Sequence, residues 1–87
     1  MTVVPLPADT WTLVAPAGFG SGNFHIQGNV EIFYAFGNSA PLQSDTRSGG
    51  LMGDSPIQAT IGDSDPLKNL YMRPALPATH SWVRVVL

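Results

Sequence analysis

The chain has 87 residues, no cysteine and a formal net charge of −2. Its 4 basic residues are scattered along the sequence, so they form no patch that would bind the phosphates of a nucleic acid. No apolar run approaches the roughly 20 residues that cross a bilayer, and the first residues lack the basic start of a signal peptide. We therefore expect one small soluble domain, made without a cleaved signal, with no nucleic-acid partner and no membrane partner. The absence of cysteine fits a reducing cytoplasm but leaves the compartment open.

The low charge content indicates lasting contact with other proteins. Only 11% of the residues are charged, against about a quarter in an average protein, so much of the surface must be apolar or neutral polar. A domain of this size buries roughly 60 to 65% of its unfolded surface, which makes its core marginal, and it has no disulfide to reinforce it. We expect the chain to be a homo-oligomer or to dock onto a larger assembly.

Residues 1–9 are rich in proline and are predicted to form an extended N-terminal arm. The single β domain is predicted to follow over residues 10–87. Its first strand is TWTLVA (10–15), in which Trp11 and Leu13 alternate with threonines and are expected to face the core.

The next two predicted strands are NFHIQ (23–27) and the strand that begins at Val30. The Gly28-Asn29 pair between them is typical of a tight turn, which predicts a hairpin. In VEIFYAF, alternation predicts that Val30, Ile32, Tyr34 and Phe36 face the core, so Phe33 points the other way. The turn-forming sequence GNSAP follows.

The second half of the chain begins with a long polar loop over residues 42–56, followed by a strand at IQATI (57–61). LYMR in the segment 67–73 reads as a strand or a short helical turn. The closing run HSWVRVVL (80–87) is the clearest strand in the chain. Nine Gly and 8 Pro leave little room for helices, so we predict an all-β fold, a small antiparallel β-sandwich or barrel of about six short strands.

No motif indicates catalysis, a cofactor or a metal. GFGSG (18–22) lacks the lysine and the helix start of a phosphate-binding loop. Asp63 and Asp65 lack the further oxygen ligands of a calcium site, and His25 and His80 have no third ligand at a suitable spacing. No serine lies in a nucleophile elbow. We therefore predict a protein that is not an enzyme, without catalytic, cofactor-binding or metal-binding residues.

Two aromatic residues are predicted to point away from the core. One is Phe33, and the other is Trp82, because a core face of Val83, Val85 and Leu87 leaves Trp82 on the side of the charged Arg84. Outward aromatics can form a contact patch between subunits, a platform for a sugar ring, or a surface covered by the chain's own arm and loop. The residues predicted for an interface are Phe33, Trp82, Leu51 and Met52 of the long loop, and Val3, Val4 and Leu6 of the arm.

The order of WTLVAPA, FHIQGNVEIFYAFGNSAP, LYMR and SWVRVVL resembles that of small β-sandwich structural proteins of tailed bacteriophages. The resemblance covers most of residues 10–87. It implies a virion protein, a capsid decoration or minor capsid component, that packs in multiple copies against itself and against major capsid or tail proteins. The arm would reach a neighbouring copy by strand addition or by simple packing.

A second interpretation is a carbohydrate-binding module of a phage tail fibre or appendage, with Trp82 and one further aromatic as its platform. A third is a small inhibitor directed at a host protein. The sequence leaves these three alternatives open.

Overall fold

The computed structural model describes residues 2–27, 31–41, 57–62, 67–75 and 78–87. These residues form seven β-strands and no helix. The strands are β1 (Thr2–Leu6), β2 (Thr12–Ala15), β3 (Ser21–Gln27), β4 (Ile32–Gly37), β5 (Ile57–Gly62), β6 (Asn69–Pro74) and β7 (Ser81–Val86). The predicted all-β fold is confirmed, with seven strands instead of about six.

The strands form two antiparallel sheets. One has four strands in the order β1-β7-β3-β5, and the other has three in the order β2-β6-β4. Alternate residues of each strand point toward the opposite sheet, as the pleat of a β-strand requires. The two sheets therefore pack face to face as a small β-sandwich.

The core lies between the sheets and is almost entirely aliphatic and aromatic. Burial of each large apolar side chain stabilises the fold by about 1.5–3 kcal/mol, so a few such residues from each sheet hold a small sandwich together. Its buried members are Leu6, Val14, Ala15, Phe24, Ile26, Ile32, Leu70, Met72, Val83 and Val85. The predicted inward orientation of Val83 and Val85, and the outward orientation of Trp82, are confirmed. The prediction is wrong for Leu87, which follows the end of β7 and is 60% exposed.

Phe19 joins the two sheets at one end of the core. Its ring meets that of Phe24 edge-on at 6.2 Å between ring centroids and is nearly parallel to that of Phe36 at 6.3 Å. The loop that carries Phe19 makes two sharp bends, because Gly18 and Gly20 both have φ near +79°. Glycine takes up this conformation without strain.

Most of the N-terminal segment predicted as an arm is a strand of the domain. Residues 2–6 form β1, which pairs with β7 in the register Val3 opposite Arg84 and Pro5 opposite Trp82. Leu6 is fully buried in the core of its own chain, so we assign it to the core and not to an interface. Val4 is half-buried and packs against the same core.

The hairpin predicted around Gly28-Asn29 is wrong. β3 pairs with β5 and β7 in the four-stranded sheet, whereas β4 pairs with β6 in the three-stranded sheet. The two strands contribute Phe24, Ile26 and Ile32 to the same core from opposite sheets instead of lying edge to edge.

Strand β2 contains an irregularity that changes which residues it buries. Its pairing with β6 shifts between Leu13 and Ala15. As a consequence Val14 and Ala15 are both buried, and Leu13, predicted to face the core, is exposed.

The LYMR segment, predicted as a strand or a short helical turn, lies in strand β6. It is the central strand of its sheet, and all of its residues from Leu70 to Pro74 are buried. Such burial on both sides requires that the outer side of this sheet be covered as well. The predicted loop over residues 42–56, including Leu51 and Met52, lies outside the described residues.

Candidate functional site

The side of the four-stranded sheet that points away from the core is the larger of two candidate surfaces. We call it the outer face. Antiparallel register brings its residues into rows across β1, β7 and β3: Pro5 opposite Trp82, and Val3 opposite Arg84, which is opposite His25. The described side chains of the outer face belong to Val3, Pro5, Ser21, Asn23, His25, Thr60, Trp82, Arg84 and Val86.

The half of the outer face on β1 and β7 is largely apolar and open to solvent. Val3 is 56% exposed, Trp82 46% and Val86 47%. Pro5, directly opposite Trp82, is exposed as well. Several large apolar groups side by side on a flat sheet form the kind of patch that soluble proteins use for contacts.

The half of the outer face on β3 and β5 is polar. The Thr60 hydroxyl lies 2.8 Å from the Asn23 amide oxygen, to which it donates a hydrogen bond. His25 is half-buried and lies opposite Arg84, which is exposed. Arg84 has no ion-pair partner among the described residues, so the outer face has a basic centre between an apolar and a neutral polar region.

Phe33 is part of a second apolar cluster, on the outer side of the three-stranded sheet. We call this group of Trp11, Phe33, Ala35 and Tyr71 the Trp11 cluster. Trp11, Ala35 and Tyr71 are buried, and Phe33 is half-buried against them. At least part of the Phe33 ring is therefore covered by residues of its own chain.

The buried side chain of Arg73 packs against the Trp11 cluster. The guanidinium of Arg73 lies over the Trp11 ring, 5.9 Å from its centroid, and 3.6 Å from a carboxylate oxygen of Asp9. Both carboxylate oxygens of Asp9 also accept the backbone N–H of Ala78, at 3.4 and 3.2 Å. Asp9 thus joins the turn after β1 to the segment before β7 and balances the charge of Arg73.

Asp9 has an unusual backbone conformation, with φ of +56°. Aspartate is one of the few residues other than glycine that adopt this conformation readily. The sequence does not predict that Asp9 and Arg73 form an ion pair, because 64 positions separate them and no local pattern connects them. An arginine among apolar residues in LYMR is the one signal that indicated a need for a charge partner.

A cleft of about 200 Å³ opens beside the Trp11 cluster, lined by Asp9, Thr10, Trp11, Ala40 and Pro41. The carboxylate of Asp9 in this cleft already lies beside the guanidinium of Arg73 and accepts the backbone N–H of Ala78. The Thr10 hydroxyl donates to the Ala8 carbonyl at 3.0 Å. We therefore assign these polar groups a structural role, which is to connect the turn after β1 to the segment before β7.

The predicted interface residues do not form one site. Val3 and Trp82 lie on the outer face, Phe33 lies in the Trp11 cluster, and Leu6 lies in the core. Val86 and Arg84, which the sequence analysis did not select, complete the outer face around Trp82. Leu51 and Met52 lie outside the described residues.

Within the described ranges, no three side chains of His, Asp or Glu come together in a way that could hold a metal ion. In the same part of the chain no helix is long and apolar enough to span a bilayer. Comparison with known proteins gives no match to any family model, curated protein or solved structure.

Proposed function

We propose that this protein is a non-enzymatic structural protein that acts by packing in multiple copies, as a capsid decoration or minor capsid component of a bacteriophage virion. The observation that carries the assembly role is the exposed apolar half of the outer face, where Val3, Trp82 and Val86 are each about half exposed. The virion setting rests on the sequence resemblance described above. The partners are further copies of the chain and the major capsid or tail proteins.

Packing on the outer face accounts for this surface better than addition of a strand at the edge of the sheet. β1 is an edge strand of the four-stranded sheet, and it contains Pro5, which has no N–H to donate. Prolines in edge strands make them poor templates for a further strand. Trp82, by contrast, is a large, flat side chain of the kind that dominates binding energy at protein interfaces.

Mass spectrometry of purified virions tests the proposal, because a structural protein must be present in the particles in a fixed ratio to the major capsid protein. Size-exclusion chromatography of the isolated chain tests the assembly role by itself. A chain that elutes as a monomer at high concentration and is absent from every particle would contradict the proposal.

A carbohydrate-binding module is the second candidate, favoured by one observation. Trp82 lies on the same side of one sheet as the hydrogen-bonding side chains of Asn23, His25 and Arg84. An aromatic ring flanked by polar groups can stack on a sugar and bind its hydroxyls. Glycan-array binding that is lost in Trp82→Ala, while the oligomeric state is unchanged, would favour this function over assembly.

A further inference from the structure

Four of the described strands lie at the edges of the two sheets, and they differ in how their edges are protected. β1 and β5 border the four-stranded sheet, and β2 and β4 border the three-stranded sheet. An edge strand presents backbone N–H and C=O groups that can pair with another chain, and proteins block most edges with proline, charge, irregularity or cover. An edge that has none of these devices is a candidate for a contact.

Three of the four edges are blocked. β1 contains Pro5, and β2 has only four residues and an irregular register. In β4, the Ala75 N–H donates to the Glu31 carbonyl at 2.9 Å, so by alternation the backbone groups of Ile32 point away from β6. Ile32 is fully buried, which closes this part of the β4 edge to a partner.

The edge strand β5 has none of these devices. Its sequence, IQATIG over Ile57–Gly62, contains no proline and no charged residue. Its pairing with β3 runs without a shift from Ser21 to Ile26. Thr60 and Gly62 are both exposed. This edge is therefore regular, uncharged and accessible.

The backbone groups of Thr60 point outward from this edge. Val86 lies opposite Asn23, and its carbonyl oxygen lies on the β3 side, because a Cβ atom on Gly22 would be 3.2 Å from it. Asn23 is thus hydrogen-bonded to β7, and in an antiparallel ladder the preceding residue bonds to the other neighbour. Gly22 therefore bonds to Ile61, which lies opposite it in β5. Alternation then turns the N–H and C=O of Thr60, and of the residues two positions away on either side, away from β3.

We infer that the β5 edge pairs with the β5 edge of a second copy, antiparallel and about a two-fold axis at Thr60. In this register Thr60 lies opposite Thr60 of the second copy, and Gln58 lies opposite Gly62. Every outward-pointing residue of each strand is then in a hydrogen-bonded pair, and each pair exchanges two hydrogen bonds.

The side chains at this edge fit an identical strand. Because the strand is uncharged, no like charges meet across the axis. The Thr60 hydroxyl donates to the Asn23 amide oxygen at 2.8 Å, which holds this side chain on the outer face and out of the plane of a further strand. A Cβ atom at Gly62 would meet no described atom within 4 Å. Threonines directly opposite each other are a favourable cross-strand pair.

The inference rests on the proposed function, because it takes the chain to pack in multiple copies, and it adds a second contact. Pairing along β5 joins two four-stranded sheets into one continuous sheet, with both outer faces on the same side. Trp82, on β7, stays free for the contact through the outer face. One strand pair buries much less than the roughly 1,200 Å² of a stable interface. The β5 pairing therefore forms between copies already gathered in an assembly, and not between free chains.

Disulfide cross-linking of Thr60→Cys tests the pairing, since the chain has no cysteine of its own. The Cα atoms of a hydrogen-bonded pair lie about 5.5 Å apart, within reach of a disulfide. Thr2→Cys is the matched control, because Thr2 is an exposed threonine in β1, at the opposite edge of the same sheet. We expect Thr60→Cys to form covalent dimers at least about tenfold faster than Thr2→Cys under conditions in which the wild type assembles.

A proline at the same position tests the hydrogen bonds themselves. Thr60→Pro removes the outward N–H and leaves the bonds from β5 to β3 in place. Thr60→Val keeps this N–H and loses the hydroxyl bond to Asn23 in the same way. In sedimentation velocity, Thr60→Pro should form smaller assemblies than Thr60→Val, and thermal unfolding verifies that both variants fold. Assemblies of equal size from two folded variants would contradict the pairing.

Failure of the inference and failure of the proposed function give different results. Wild-type protein that assembles, while the two cysteine variants cross-link at equal rates, refutes the β5 pairing and leaves the proposed function intact. Wild-type protein that stays monomeric at high concentration and is absent from virions refutes the proposed function, and the β5 pairing with it.

Discussion

The guanidinium of Arg73 lies over the ring of Trp11, 5.9 Å from its centroid, on the side of the three-stranded sheet that points away from the core. Arg73 is buried there, and Asp9 balances its charge from 3.6 Å. This arrangement covers the outer side of β6 and explains why the central strand of a small sandwich is buried on both sides. The sandwich therefore has two apolar layers, one between the sheets and one outside.

Asp9→Asn should destabilise the fold by about 1–3 kcal/mol, because it removes a carboxylate that lies 3.6 Å from the buried guanidinium of Arg73. Asparagine retains the ability to adopt a positive φ and to accept the N–H of Ala78, so the loss reports the charge. Urea unfolding measures the change in the free energy of unfolding. A double-mutant cycle with Arg73→Met is the control, and strictly additive effects of the two substitutions would contradict the coupling.

Gly22→Ala should destabilise the fold by about 1–3 kcal/mol. A Cβ atom at this buried position would lie 2.8 Å from Cδ2 of Leu87 and 3.2 Å from the carbonyl oxygen of Val86, and the backbone atom cannot move aside easily. Gly62→Ala in the edge strand β5 is the matched control, since a Cβ there meets no described atom within 4 Å.

In the control, Gly62→Ala should leave the thermal midpoint unchanged or raise it slightly, because alanine restricts the unfolded chain more than glycine does. Thermal unfolding of the two variants side by side makes the comparison. Equal destabilisation by both would indicate that loss of glycine, and not the close approach of Leu87 and Val86, governs the effect.

Phe33→Ala should destabilise the monomer by about 1–3 kcal/mol without changing its oligomeric state. The Phe33 ring is half-buried against Trp11 and Tyr71, so its removal takes apolar contacts from the Trp11 cluster. Urea unfolding gives the stability, and size-exclusion chromatography at matched concentration gives the oligomeric state. A variant as stable as the wild type but unable to assemble would instead identify Phe33 as a contact between copies.

Most strand positions were predictable from local patterns, but β1 was predicted as an arm outside the domain and the segment of β6 as a strand or a helical turn. The faces were predictable for strands with one clear charge. In β7, Arg84 alone indicates which side meets water, and the structure has Val83 and Val85 buried as expected. In β2, the register shift between Leu13 and Ala15 reverses the expected face, because a bulge depends on the pairing partner and leaves no mark in the alternation itself.

The pairing of strands was not predictable in the same way. Gly28-Asn29 favours a hairpin locally, but β3 and β4 belong to different sheets. Which sheet a strand joins depends on partners far along the chain, here β7 for β3 and β6 for β4. Cover of Phe33 by its own chain was one of the predicted alternatives, but the covering residues were not predicted, since Trp11 and Tyr71 come from distant segments.

Trp82→Ala should abolish or strongly weaken assembly while lowering the stability of the monomer by only about 1 kcal/mol, because the side chain is 46% exposed in the single chain. Trp11→Ala provides the contrast, since that ring is buried and its loss should cost about 3–5 kcal/mol. The two tryptophans of this chain thus have separate roles, one in contact and one in folding.

Sedimentation velocity of the wild-type chain over a wide concentration range, beside Trp82→Ala, tests multi-copy assembly through the outer face most directly. The predicted result is a wild-type sedimentation coefficient that rises with concentration and a Trp82→Ala coefficient that stays at the monomer value. A wild-type chain that remains monomeric throughout, or a Trp82→Ala chain that assembles equally well, would contradict it.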